Sequence, residues 1–482
     1  MAAPASWNLY AAANLIKNGD CRMLVIGDSI NTQTLYYSRM GGIGYFYTWK
    51  PAAWKGFFFN ANNYTAADLG ASSAGTGQSV AQLGTPKISY LGAASAKFAN
   101  GYGYFNRSWN NYQYNFAAMS VSGSPAGTPV YGANPNLFPM GYTEQQFDGT
   151  ALPSTSTVYW YCDIENEGLT YMYGGDPFTG KTITARVVGY KNTNGPVLQF
   201  SVYNNTSTTA TVDVDFGGTA GYVSAERTYT AASALQRAQL STKNPTGITS
   251  SKPFILLGYK FWNAALTTGL QIAVWAEAGW YLADAAGSTI ATTQALADWG
   301  SYALGDAGAT GPTNGPNVYW IHMGRNDIAG GYSRATLMAN ARTLVAKCRA
   351  AAALQGVTNV HVVLCSPFRS AVGEVAASTF ADAADALYRV AQELSCGFLN
   401  YYQLQAPEAA LPIGRQFTTN AVDERLIFDA IHPNGPGSMY FASLAWSQIE
   451  AALDNASSPA ITTTAPITTT PSTTRAFNRG AR

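Results

Sequence analysis

The sequence predicts an α/β fold: a parallel sheet covered by helices on both faces, interrupted by a long β-rich stretch. Three observations carry this reading. The early run MLVIGD (residues 23–28) is apolar throughout and ends in a Gly-Asp turn, as a strand buried on both faces does. Beyond residue 285, apolar strand-like runs alternate with helical patterns. Between about 155 and 280 the periodicity belongs to strands alone.

In chain order, MLVIGD reads as a strand feeding a loop and then a helix. From about Met40 to residue 155 the chain is rich in Gly, Asn, Ser and aromatics without helical period, which predicts irregular structure with short strands. STVYWYCDIE, KTITARVVGY, VLQFSVYNN, TATVDVDF and GLQIAVWAEA then follow as β-branched or aromatic runs. Turn clusters such as NTNGP separate them, the texture of a sandwich or barrel. TTQALADWG reads as a helix, NVYWIHMG as a strand, and SRATLMANARTLVAKCRAAAALQG as a helix stopped by Gly356. NVHVVLCSP and FLNYYQL read as strands; STFADAADALYRVAQELSCG and GPGSMYFASLAWSQIEAAL read as helices. The resulting division is a discontinuous α/β domain over 1–40 and 280–455, a β-rich inserted domain over 41–279, and a disordered Thr/Ser/Pro-rich tail over 456–482.

Composition narrows the partners. Charged residues make up 11% of the chain and the formal net charge is +1, so there is no basic footprint for nucleic acid. No apolar run approaches the roughly 20 residues that span a bilayer. The 30 Tyr and 11 Trp suit stacking on sugars as well as core packing. The 5 Cys at wide, irregular spacing form neither a disulfide framework nor a metal ligand set, and buried free thiols are expected. With 3 His, a multi-histidine metal site is not expected. The N-terminus lacks a basic n-region and an apolar h-region, whereas low charge and the Thr-rich tail look extracellular; the compartment stays open.

Three short motifs sit at strand or helix edges. In Gly27-Asp28-Ser29-Ile30, a serine follows the carboxyl end of a strand, where open α/β sheets place ligands; alone, the tetrapeptide reads more readily as a helix cap with Asp28 in the turn. Gly324-Arg325-Asn326-Asp327 follows another strand; Asn326 can aim an amide at an oxyanion, or the four residues form an ordinary turn braced by Asp327. In Asp429-Ala430-Ile431-His432-Pro433, an acid three residues before a histidine can orient the imidazole toward a serine, or the histidine is a lone cap before a proline turn. Of the remaining histidines, His322 ends a strand and faces either site or core, and His361 opens one; both are expected to be structural.

MLVIGDSI, HMGRND and FDAIHPNGPG resemble three conserved blocks of the SGNH (GDSL-like) hydrolase superfamily. The resemblance covers residues 20–40 and 280–453 and does not account for 41–279. It implies a flavodoxin-like α/β/α sandwich and a serine esterase without cofactor or metal. Carried over motif by motif, it implies Ser29 as nucleophile, His432 as base, Asp429 as the orienting acid and Asn326 as an oxyanion donor. ADAAGSTIATTQALADW resembles the block that supplies a further oxyanion N–H, which makes Gly287 the candidate. Asp28, Arg325 and Asp327, beside these residues, are expected to contact substrate. The expected substrate is a small-molecule or polysaccharide ester, with O-acetyl groups on a carbohydrate as the leading case. The alternative is a glycan-binding or surface/phage-tail structural protein that keeps the fold without catalysis.

Overall fold

The computed structural model describes residues 3–28, 30–31, 54–60, 118–122, 129–132, 143–147, 157–165, 180–191, 193, 195–204, 207–231, 235–242, 254–263, 265–276, 280–287, 292–306, 314–368, 377–405 and 435–457. Ser29, Asp429, His432 and the tail beyond Ser457 lie outside the described residues.

A parallel sheet organises the α/β part. Its strands are β1 (Asp20–Gly27), β2 (Gly269–Ala276), β3 (Val318–His322), β4 (His361–Cys365) and β5 (Gly397–Leu399). Their spatial order is β2-β1-β3-β4-β5, with every neighbouring pair parallel. This is the doubly wound order in which the direction of winding reverses at the first strand. The strands read as unbroken apolar runs because both faces are covered: Met23, Leu24, Val25, Ile26, Val318, Tyr319, Val363 and Leu364 are all buried.

The helices are α1 (Tyr10–Asn18), α2 (Leu282–Ala286), α3 (Thr293–Leu304), α4 (Arg325–Ala329), α5 (Arg334–Leu354), α6 (Ala377–Glu393), α7 (Tyr401–Leu404) and α8 (Gly435–Ser457). Two groups pack on the sheet: α1 lies against α8, and α5 lies against α2, α3 and α6. Helix α5 shows why its sequence is helical. Leu337, Ala341, Leu344, Cys348 and Ala351 recur at helical spacing and are buried. Ser333 Oγ caps the Thr336 amide at 3.1 Å, and Gly356 ends the segment with a φ of 69°.

The strands between β1 and β2 continue the same sheet. Strand Trp54–Asn60 pairs parallel with β2, and Phe254–Asn263 pairs antiparallel with Trp54–Asn60. Thr182–Lys191 and Gly221–Thr230 extend it further. A second, antiparallel sheet runs Ser207–Asp215, Val197–Asn204, Leu235–Thr242, Thr157–Glu165, Ala118–Ser122. The two sheets meet where Phe200 stacks on Tyr259, with ring centroids 6.3 Å apart, and where the Leu240 amide donates to the Tyr259 hydroxyl. Buried cations tie this β-rich part to the helices. Lys260 Nζ donates to the Leu304 and Gly305 carbonyls at 2.8 and 3.1 Å, and Arg186 donates to the Tyr302 carbonyl at 2.9 Å. These carbonyls end α3, where the helix has no further amides to satisfy them and positive charge is favoured.

Two expectations change. GLQIAVWAEA, grouped by periodicity with the β-rich stretch, forms β2 and pairs in register with β1 from Gly269–Asp20 to Ala276–Gly27. An apolar strand of a sandwich and one of a parallel sheet have the same sequence texture, so pattern alone did not separate them. FLNYYQL is a strand only as far as Leu399; Tyr401–Leu404 is a helical turn because the Asn400 side chain accepts the Gln403 amide at 3.2 Å and caps it.

Candidate active site

Strand β1 lies between β2 and β3, and in both pairings Gly27 is the register partner of the last residue, Ala276 on one side and His322 on the other. Three loops therefore leave one carboxyl edge side by side, at the point where the winding reverses.

The first loop is a tight turn. Asp28 Oδ1 accepts the Ile30 amide at 3.0 Å, and the Asn31 amide donates to the Asp28 carbonyl at 2.9 Å. The chain folds back so closely that a Cβ on Gly27 would lie 2.4 Å from Asn31 Nδ2. The glycine of the first motif is thus required by close approach. Asn31 Nδ2 donates to the His322 carbonyl at 2.9 Å, and Asn31 Oδ1 faces His322 Nδ1 at 3.3 Å.

The loop after β3 starts at Gly324, whose φ of 111° is a left-handed conformation open to glycine. Asn326 and Asp327 then point to the loop after β2. Asn326 Nδ2 donates to the Trp280 carbonyl at 2.9 Å, and the Asp327 carboxylate accepts the Leu282 amide at 3.0 Å. Asp284 reinforces that loop by accepting the Tyr281 amide at 2.8 Å, a capping box at the start of α2.

Electrostatics follow from burial. His322 is fully enclosed, and loss of hydration pushes its pKa down to about 4, so the imidazole is neutral. Burial pushes Asp327 up to about 6, against the Leu282 N–H, which favours the carboxylate. Lys347 of α5 donates to the Ala285 carbonyl at 2.8 Å and to the Gly287 carbonyl, closing the end of α2; burial lowers its pKa to about 8.

The catalytic expectations are placed as follows. Asn326 stands on the loop after β3, with its amide on the Trp280 carbonyl of the loop after β2. Gly287 ends α2, and its N–H donates to the Ala283 carbonyl at 2.8 Å and the Asp284 carbonyl at 3.2 Å, so it is bonded within the helix end. Asp28, Arg325 and Asp327 are 1%, 2% and 0% exposed. Asp28 braces its own turn, Asp327 braces Leu282, and the Arg325 guanidinium lies over the Phe380 ring at 5.7 Å. These side chains are buried and make contacts within the protein's own loops. Residues that sequence reasoning did not single out are Asn31, Trp280 and Lys347; Asn31 alone had a signal, standing two positions after Ser29.

Aromatic contacts extend the edge toward α8. His322 lies against Tyr401 and Phe368, at 4.9 and 5.8 Å between ring centroids. Phe441 of α8 stacks on Phe368 at 4.1 Å and meets Tyr401 edge-on at 5.9 Å. Phe441 is nine residues beyond His432, and α8 itself begins three residues beyond it. His361, at the start of β4, is remote in register from this edge. Cys21, Cys348, Cys365 and Cys396 are buried free thiols; the Cys162 side chain lies outside the described residues. Among the described residues, no group of three or more His, Cys, Asp or Glu side chains is arranged to hold a metal ion, and no helix is long and apolar enough to cross a membrane.

A scan of protein-family models gave no match, and a search of curated protein sequences gave none. Solved structures similar to this chain include a peptidoglycan O-acetylesterase, at 10% identity and a TM-score of 0.47 over 92% of this chain and 94% of that one. A salicylyl-acyltransferase, SsfX3, from a tetracycline biosynthetic pathway aligns at 12% identity and a TM-score of 0.29, over 70% of this chain and 97% of that one. A family two carbohydrate esterase from Cellvibrio japonicus aligns at 12% identity and a TM-score of 0.27, over 70% of this chain and 99% of that one.

Proposed function

We propose that this chain is a serine esterase that removes acyl groups, acetyl foremost, from a carbohydrate. The observation that carries the reading is the convergence at the carboxyl edge of β1. The turn after β1 reaches the end of β3 through Asn31 and His322, His322 packs on Tyr401 and through it on Phe441 of α8, the helix that His432 leads into, and the Asn326 loop is bonded to the loop after β2 at Trp280.

In this reading His432 takes the Ser29 proton and Ser29 Oγ attacks the ester carbonyl carbon. Asp429 holds the imidazole tautomer. The oxyanion is stabilised by the Ser29 N–H and by the second N–H of the Asn326 amide, the first being bonded to Trp280. Gly287 adds its N–H only on giving up the Ala283 carbonyl. His432 returns the proton to the departing alcohol, and water, deprotonated by the same imidazole, releases the acid from the acyl-serine. Each oxyanion donor is worth roughly 2.7–4 kcal/mol of transition-state stabilisation.

The carbohydrate assignment rests on composition: weak charge leaves attraction to stacking and hydrogen bonding, and Tyr and Trp are abundant. The stretch 41–279 apart from β2, which joins the catalytic unit, is proposed as a sandwich-like insertion that roofs the edge. Ser29→Ala tests the reading. It should abolish hydrolysis of p-nitrophenyl acetate and acetate release from acetylated xylan, and abolish fluorophosphonate labelling, with the circular dichroism unchanged. Wild-type turnover in that variant removes Ser29 as nucleophile; wild-type activity confined to long-chain acyl esters removes the carbohydrate substrate.

A further inference from the structure

We propose that Asn31 and His322 form a reciprocal clasp that positions the serine-bearing turn, which makes both positioning residues for the reaction; the inference rests on the serine-esterase reading above. Residue 29 lies between two anchored neighbours. Gly27 is held in the sheet, paired with His322. Asn31 is 4% exposed and reaches back across the turn to that same His322.

The hydrogen-bond directions are determined by chemistry. The His322 carbonyl can only accept, so the Asn31 atom facing it at 2.9 Å is the NH2 group. The remaining Asn31 atom, Oδ1, can only accept, so His322 Nδ1, at 3.3 Å, carries the proton. His322 Nε2 is then a bare acceptor, and it has no hydrogen-bond partner among the described residues. The Nδ1–H to Asn31 is therefore the ring's polar contact among the described residues. The ring's own position is set by Tyr401 and Phe368, which Phe441 joins to α8. One side-chain pair thereby couples the turn, the end of β3 and the helix that follows His432.

The distinction from plain core packing is where the effect falls. A clasp on the nucleophile turn acts on turnover, because reacting atoms misplaced by about 1 Å cost on the order of 10²-fold in rate. Asn31→Ala should lower kcat for p-nitrophenyl acetate and the fluorophosphonate inactivation rate by about tenfold or more, with KM within about twofold. The pair His322→Asn and His322→Gln isolates the Nδ1 proton. Asn places its NH2 near the Nδ1 position, and Gln places it near Nε2, while both lose the ring equally. His322→Asn should stay within about threefold of wild type and His322→Gln should fall with Asn31→Ala. Equal rates for the Asn and Gln variants overturn the clasp, as does wild-type labelling of folded Asn31→Ala. If Asn31→Ala does not fold, the His322 pair decides. Wild-type protein that does not label at all instead overturns the serine reading, and the clasp with it.

Discussion

Asp327 and Leu282 stand 45 residues apart in the chain, yet the Asp327 carboxylate accepts the Leu282 amide with both oxygens, at 3.0 and 3.3 Å. The bond joins the loop after β3 to the first turn of α2, at full burial. A carboxylate in that position loses its hydration, and its pKa rises to about 6 from 3.8. The folded protein therefore binds this proton more tightly than the unfolded chain. Stability from this group is fully present below pH 3.8 and is lost as pH rises through about 6, by roughly 3 kcal/mol. Asp327→Asn is expected to abolish this dependence, so that urea midpoints shift in the variant's favour between pH 4 and pH 7. Parallel profiles for the two proteins would count against it.

His322 has the opposite sign. Its pKa falls to about 4 from 6.5, so the folded state resists protonation. Stability is full above pH 6.5 and is lost as pH falls through about 4, again by roughly 3 kcal/mol. Between about pH 4 and 6 the two groups offset one another. His322→Asn should make the protein less sensitive to acid, and Asp327→Asn should make it more so. Denaturation at stepped pH values separates the two; identical acid limbs in all three proteins refute the assignment.

Gly27→Ala tests the close approach in the turn that carries the proposed nucleophile. The added methyl meets Asn31 Nδ2, Cβ and Cγ at 2.4 to 2.6 Å. The turn must shift, at an expected cost of about 1–3 kcal/mol. Because Asn31 moves with it, fluorophosphonate labelling of Ser29 should slow by more than thermal stability alone accounts for. A variant with unaltered labelling and unaltered melting would show that the turn has room.

Asn326→Ala removes an amide bonded to the Trp280 carbonyl and, in the proposed mechanism, an oxyanion donor. Loss of the bond to the Trp280 carbonyl should lower stability by about 1 kcal/mol. If Asn326 serves the oxyanion as proposed, its loss should lower kcat by about 10²–10³-fold with little change in KM. Steady-state kinetics beside a melting curve check both. A loss confined to stability assigns Asn326 to scaffolding.

The α/β alternation after residue 285 was readable because each element carries its own signal. The strands are apolar on both faces, α5 has helical spacing with Ser333 and Gly356 at its ends, and Gly27 and Gly324 stand where the chain turns sharply. Asn326 was legible as a residue beside the edge, from its motif. What the motif did not carry was direction. Asp28, Arg325 and Asp327 look like polar residues offered to a ligand, and all three turn inward. Turn-forming polar residues have the same letters whether they meet water, substrate or backbone.

The sequence by itself determined the parallel strands β1, β3, β4 and β5, the helices α3, α5, α6 and α8, and the motifs at strand ends, since burial on two faces and helix periodicity are written into neighbouring residues. Only the tertiary structure decided that 269–276 is the strand beside β1, that Asn31 reaches His322, and that Asp327 reaches Leu282. Those are pairings across 45 to 291 residues of chain. Local pattern states what a segment can bury; which partner it buries against is selected by the packing of the whole sheet.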